Sequence, residues 1–348
     1  MRGPPSRRRS LWTLLPFALP LALLVPLLAS AGDETPLDYH RLRSAVERGL
    51  GVVQKAAASY PEHRSCFSCH HQTLPVLAMV SAREKGMAIA PDLLRRQAEF
   101  TRDSFDERDA MLRKGEGVGG ASMTVGYGLW TLDLARWKPD TTTEAMVEFL
   151  LANQRPDGSW VRSAERPPLE ESNVTWTILS VYYMGKFAAS TQAEAVERAT
   201  ARARTWVLAA APVSHEDHVS RLGALALLAA DRTSIEEERR RILDAQRADG
   251  SWAQLPGMEG DAYATRSTLF TLQRVGLSPA DPVYVRGLRF LLATQRDDGS
   301  WYVKSRSKPV QSFFDNSDPH GKDQFISVAA TSWATTAIAI ALPRRLRI

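Results

Sequence analysis

The chain has 348 residues, 44% of them hydrophobic and 24% charged, which is enough apolar material for a full core and excludes both a disordered chain and a membrane bundle. Its formal charge of +5 sits mostly in the first 31 residues, where Arg2, Arg7, Arg8 and Arg9 meet no acid; the remainder carries about +1. No basic stripe with interleaved aromatics is left, so nucleic acid is excluded as a partner.

Those first 31 residues have the make-up of a secretory leader. Arg7 to Arg9 precede an apolar run from Leu11 to Leu28, and Ala29-Ser30-Ala31 is an A-x-A cleavage site. Cleavage near Ala31 and export, periplasmic or secreted, are expected. The alternative is an uncleaved N-terminal membrane anchor, against which Pro16, Pro20 and Pro26 interrupt the run. Ser6 to Arg9 faintly resembles a twin-arginine signal, so the export route stays open.

From Arg41 onward apolar residues recur at helical spacing between short Gly- and Pro-punctuated loops, and alternating β-branched runs are scarce. The reading is all-α, a single domain over residues 32–348. Outer helices are expected near 41–59, 91–110, 142–154, 191–210, 234–246 and 279–295. Each is followed by an inner helix richer in Ala, Gly, Ser and Thr, starting near Thr73, Ser122, Asn173, Asp217, Ala262 and Ser327. Small residues permit close packing, which suits the inside of a ring.

One heptad recurs through this pattern: Gln-Arg-x-Asp-Gly-Ser-Trp at Gln154–Trp160, Gln246–Trp252 and Gln295–Trp301. The first gap is about twice the usual repeat, and Trp206 falls where a degenerate copy is expected. Asp-Gly sets a tight turn, since Gly accepts positive φ and Asp bonds the following backbone. Trp is expected to fold over the helix end while Gln satisfies open backbone groups. Six hairpins of one repeat, with none left over, predict a closed (α/α)6 toroid with all six outer-to-inner loops at one mouth.

These heptads, with Asp261-Ala262-Tyr263-Ala264-Thr265 opening the fifth inner helix, resemble the QW repeats of squalene-hopene cyclases and related terpenoid cyclase and prenyltransferase α/α-toroid proteins. The resemblance spans residues 40 to 342. It implies the fold, and as an alternative function an isomerase- or cyclase-like enzyme acting on an apolar isoprenoid. It does not carry over a catalytic residue: class II cyclases protonate through a D-x-D-D motif, and no D-x-D occurs in this sequence. Weaker candidates for a non-standard acid are Glu171, Asp217 and Asp261, which open inner helices. Acids there also complement the helix dipole and cap the backbone, and both roles stay open.

The first hairpin departs from the repeat. Arg48-Gly49-Leu50 matches Arg286-Gly287-Leu288, but the turn that follows is Cys66-Phe67-Ser68-Cys69-His70. Both cysteines of the chain lie in this C-x-x-C-H, which resembles the haem-attachment site of cytochromes c and places it at the mouth. In an exported protein two such thiols form thioethers with a c-type haem and the adjacent imidazole becomes an axial ligand. That gives the leading functional expectation, a redox or electron-transfer protein with a redox partner. Two alternatives stay open: a Cys66–Cys69 disulfide stapling a glycan- or protein-binding mouth, and a zinc or other metal site drawing on Cys66, Cys69, His70 or His71.

Met123, His218 and His320 are candidates for the second axial position by location alone; His71 is too close in sequence. Met123 reads equally as packing and His320 as a solvated loop residue. His215 and His218 are spaced to share a metal, although Ser214 or Asp217 capping the helix explains the cluster as well. Residues 302–325 form a long polar loop with the length of a lid. The oligomeric state is not legible.

Overall fold

A computed structural model describes residues 37–343 apart from 162, 164 and 165; the leader and its expected cleavage near Ala31 lie outside the described residues. Helical hairpins follow one another along the chain: α1 (Tyr39–His63) with α2 (Leu74–Arg83), α3 (Leu93–Asp106) and the short α4 (Asp109–Leu112) with α5 (Ala121–Leu134), and α6 (Thr141–Ala152) with α7 (Asn173–Phe187). The second half repeats the scheme: α8 (Ala193–Ala209) with α9 (His215–Leu227), α10 (Arg232–Asp244) with α11 (Ala262–Arg274), and α12 (Pro282–Thr294) with α13 (Gln324–Ala341). The described residues contain no strand, only an isolated bridge between Ala253 and Gly260.

Short polar side chains set most of these starts. Asp38, Asp140, Ser172, Ser214, Asp231, Asp261 and Asp281 each accept a backbone N–H from the first turn that follows, satisfying donors that the helix itself leaves open. The expected second outer helix is broken at Glu107–Arg108, giving α3 and α4.

The inner helices α2, α5, α7, α9, α11 and α13 pack in that order, and α13 then packs on α2. The ring is therefore closed. α13 is long and apolar enough to cross a membrane, but 83% of its apolar window is buried, as expected for a wall of the core. Between α2 and α1 it takes the place that an open solenoid would leave to solvent.

The heptads join consecutive repeats as well as turning the chain. In the third copy Trp301 Nε1 donates to Leu291 O at 2.8 Å and Trp301 N donates to Thr331 Oγ1 at 3.0 Å, tying α12 to α13. Gln295 Nε2 donates to Gly299 O at 3.0 Å and to Ala45 O at 2.8 Å. The latter bond reaches α1 and latches the end of the chain to its beginning. Gln154 reaches Ala199 O and Gln246 reaches Val283 O in the same way. Trp206 is not a fourth copy: it lies inside α8, and the turn after α8 is the short stretch 210–214 without Gln or Trp.

Candidate binding site at the mouth of the toroid

The loops that lead from outer to inner helices meet at one end of the ring, with direct bonds between them. Arg306 of the last loop donates to Glu171 Oε2 at 2.9 Å and to Gln254 Oε1 at 2.7 Å, and Asn316 pairs with His71 Nε2 at 2.5 Å. The long final loop thus lies across the mouth, where a lid was expected.

The first loop builds the site. Residues Cys69–Thr73 form a π-helical turn that runs directly into α2. Ser68 N donates to Gln72 Oε1 at 2.8 Å, and Thr73 Oγ1 donates to Tyr127 O at 3.0 Å, which pins the turn to α5. Such wide turns are uncommon and concentrate at functional sites. Cys66 and Cys69 are both free thiols, so the disulfide alternative is not formed here. Cys66 is exposed, with its Sγ 3.7 Å from the Tyr60 hydroxyl. Cys69 is buried, and its Sγ lies 3.3 Å from His70 Nδ1. Burial, and next the Glu170 carboxylate, push the Cys69 thiol well above its usual range. Burial, with Arg166 adding, lowers His70 to about 3, leaving a neutral imidazole at physiological pH. His71 is a packing residue, stacked 4.7 Å from Tyr60.

A cavity of about 600 Å3 opens beside this turn. Cys66 and His70 form part of its wall, whereas Cys69 lies one layer behind. Tyr60, Phe67, Phe105, Val310 and Phe325 supply apolar faces; Arg64, Arg108 and Arg166 bring positive charge from three separate loops. Glu170 is the acid of the cavity, 3% exposed, with one oxygen 3.5 Å from Arg166 Nη1 and the other unbonded to protein. Burial raises its pKa while Arg166 opposes the shift.

Several expected site residues lie elsewhere. Met123 is fully buried in α5 and is not part of the cavity wall, although its neighbour Thr124 is. His218 is paired with Glu238 on α10, and His320 Nε2 lies 2.7 Å from Ser300 Oγ. None of these three lines the cavity with His70; Met123 is packed in the core, and His218 and His320 already have hydrogen-bond partners. His215 points instead at Thr268 Oγ1, 2.6 Å away, so it does not share a metal with His218. Among the described residues no three His, Cys, Asp or Glu side chains gather to hold a metal ion, which leaves the zinc alternative without a ligand set.

The three acids proposed as proton donors are engaged in structure. Asp217 closes a capping box with Ser214 and also accepts from Val213 N. Asp261 caps α11, accepting from Ala264 N at 2.9 Å and from Gln254 Nε2 at 2.7 Å. Glu171 holds Arg306. Sequence reasoning chose Glu171 where its neighbour Glu170 faces the cavity, and it missed the three arginines because they converge from distant loops. Its candidate acids also left out Glu216, read only as complementing the helix dipole; this carboxyl is buried, accepts from Thr175 Oγ1 at 3.2 Å and is raised by burial to about 7.

No family model matches the chain, and no curated protein does. Solved structures do. The type II terpene cyclase MstE from Scytonema, in complex with merosterolic acid A, matches with a TM-score of 0.57 at 16% identity, over 88% of this chain and 98% of that one. A glycosidase in complex with glucose matches with a TM-score of 0.58 at 13% identity, over 88% and 100%, and a protein from Actinoplanes with 0.53 at 14%, over 87% and 100%. The fold is the terpenoid-cyclase-like α/α toroid. Because one architecture here hosts both a cyclase and a glycosidase, activity must be argued from the site.

Proposed function

We propose that this toroid is an exported redox protein carrying a covalent c-type haem in the mouth cavity. The observation that carries the reading is that Cys66 and His70 of the C-x-x-C-H both line one cavity that combines aromatic faces with three arginines. The donor set suits the group: two free thiols for thioether bonds and a neutral imidazole for the iron. Tyr60, Phe67, Phe105 and Phe325 would flank the macrocycle, and Arg64, Arg108 and Arg166 would pair with its carboxylates. When bound, the haem supplies one-electron redox chemistry. Cys69 lies behind His70 in the folded protein, so attachment has to precede closure of the ring around this turn.

The test is expression with a cytochrome c maturation system, followed by an absorption spectrum and an intact-mass measurement. A Soret band and a haem mass that both vanish in Cys66→Ser are expected; folded protein given free haem afterwards gains no covalent mass. A mature protein with neither band nor added mass sinks the proposal.

A second reading, an enzyme acting on an isoprenoid, draws on the aromatic filling of the ring. Trp130 lies 6.1 Å from Tyr183 and 5.7 Å from Trp333, and Phe270 5.2 Å from Trp333, aromatic surroundings suited to an apolar chain and to developing positive charge. Glu216, rather than Asp217 or Asp261, would then be the acid. Incubating the same purified protein with a linear isoprenoid separates the readings: cyclised product lost in Glu216→Gln favours this one, and unchanged substrate opposes it.

A further inference from the structure

The axis of the ring contains a charge that the protein does not answer. Tyr263, Arg266 and Phe270 recur on α11 at spacings of three and four, which puts them on one face. That face looks into the ring: Phe270 and Arg266 both reach Trp333 of α13, which in turn meets Trp130 of α5. α5 and α13 are not neighbours in the ring, so their contact through these rings crosses its interior.

Arg266 is 0% exposed. Its guanidinium carbon sits 3.1 Å from the centre of the Trp333 ring and 5.4 Å from that of Tyr263. No protein group accepts a hydrogen bond from its Nε, Nη1 or Nη2, and the indole N–H of Trp333 is likewise without an acceptor. No carboxylate pairs with it. Glu216 and Asp261 act on it only from a distance, and they are engaged by Thr175 and by the cap of α11 respectively.

A buried guanidinium with no partner is expensive, and unlike a lysine it has no accessible neutral form. Cation–π contact with Trp333 and Tyr263 offsets part of this cost but leaves the N–H edges unbonded. The site therefore offers donors only, in the planar fork that matches two oxygens of an oxyanion. The rings around it, Trp333 and Tyr263 with Phe270 and Trp130 against Trp333, favour an apolar body.

We propose that the axis of the toroid binds an anionic amphiphile, a carboxylate or phosphate on an apolar body, with Arg266 pairing its head group. The site is separate from the mouth cavity, whose wall does not include Arg266, and it does not depend on haem being present. Trp333, stacked on Arg266, reports on it directly. Titration of purified protein with decanoate, decyl phosphate, decanol and inorganic phosphate, read by tryptophan fluorescence, is the experiment. At least one of the two anionic decyl compounds is expected to bind at least tenfold more tightly than decanol; which one does identifies the head group. Arg266→Met, which fills the same space without the charge, is expected to abolish that preference while still folding, and Arg266→Lys to retain a weaker one. Equal binding of acid and alcohol, a preference that survives in Arg266→Met, inorganic phosphate binding as tightly as decyl phosphate, or no saturable signal with any probe would each overturn the proposal.

Discussion

Gly299 illustrates how single residues constrain this fold. Its φ is +90°, and a Cβ placed on it would come within 2.7 Å of Arg48 O on the neighbouring helix. Gly158 and Gly250 meet the carbonyls of Arg202 and Arg286 in the same way, so the heptad glycine serves the turn and the close approach of the next repeat together. Gly299→Ala is expected to cost about 2–4 kcal/mol, from left-handed strain plus displacement of backbone. Gly51, exposed inside α1 with nothing near its Cβ position, is the control: Gly51→Ala is expected to stabilise by about 0.5–1 kcal/mol. Urea denaturation of the two variants checks both signs. At this scale Glu170 and Glu171 also part company. Adjacent in sequence, one is buried at the cavity and the other holds Arg306, and no composition or spacing rule separates them.

Among the elements, the final loop has the clearest condition-dependent behaviour. Asp318 is buried in it, with Oδ1 accepting from His320 N at 3.0 Å and Oδ2 unbonded to protein. Burial pushes its carboxyl up to about 7, the His320 backbone opposes the shift, and Asp298 adds to it. An unfolded aspartate releases its proton near pH 3.9. Between these values the folded loop holds more protons than the open one, so the stabilisation is complete below the unfolded value and is lost as pH rises through about 7. Opening over residues 312–320, read by hydrogen exchange, is expected to be about a hundredfold more frequent at pH 8 than at pH 5, after correction for intrinsic rates. Asp318→Asn should remove that difference. An identical pH response in the variant would place the titration on another group. Helix starts and ends, by contrast, were open to sequence reasoning: the six inner helices begin within five residues of the expected positions, because caps and apolar periodicity are local properties.

For the molecule as a whole, closure is the decisive property. Gln295 binds Ala45 O and α13 packs on α2, so the first hairpin has neighbours on both sides. Gln295→Ala and Gln154→Ala remove equivalent bonds and are each expected to cost about 1–3 kcal/mol. In a closed ring both should lower one shared unfolding transition. An early, separate loss of α1 protection in Gln295→Ala alone, seen by hydrogen exchange, would instead describe an open array with a fraying end.

The sequence by itself determined the number of hairpins, their alternation of outer and inner helices, the (α/α)6 ring and the exceptional C-x-x-C-H turn. Each of these rests on residues a few positions apart, where helical period, caps and turn chemistry operate. Trp206 was misread because a repeat spacing alone does not say whether the chain has reached a turn. The stripe of Tyr263, Arg266 and Phe270 was not singled out from sequence, and packing showed that no acid arrives beside Arg266. Tertiary structure alone decided which of two adjacent glutamates faces the cavity, that Cys69 turns inward while Cys66 and His70 line the wall, and that arginines 64, 108 and 166 share one space. Those outcomes depend on several loops brought together from far apart in the chain, and burial and net local charge are sums over all of them.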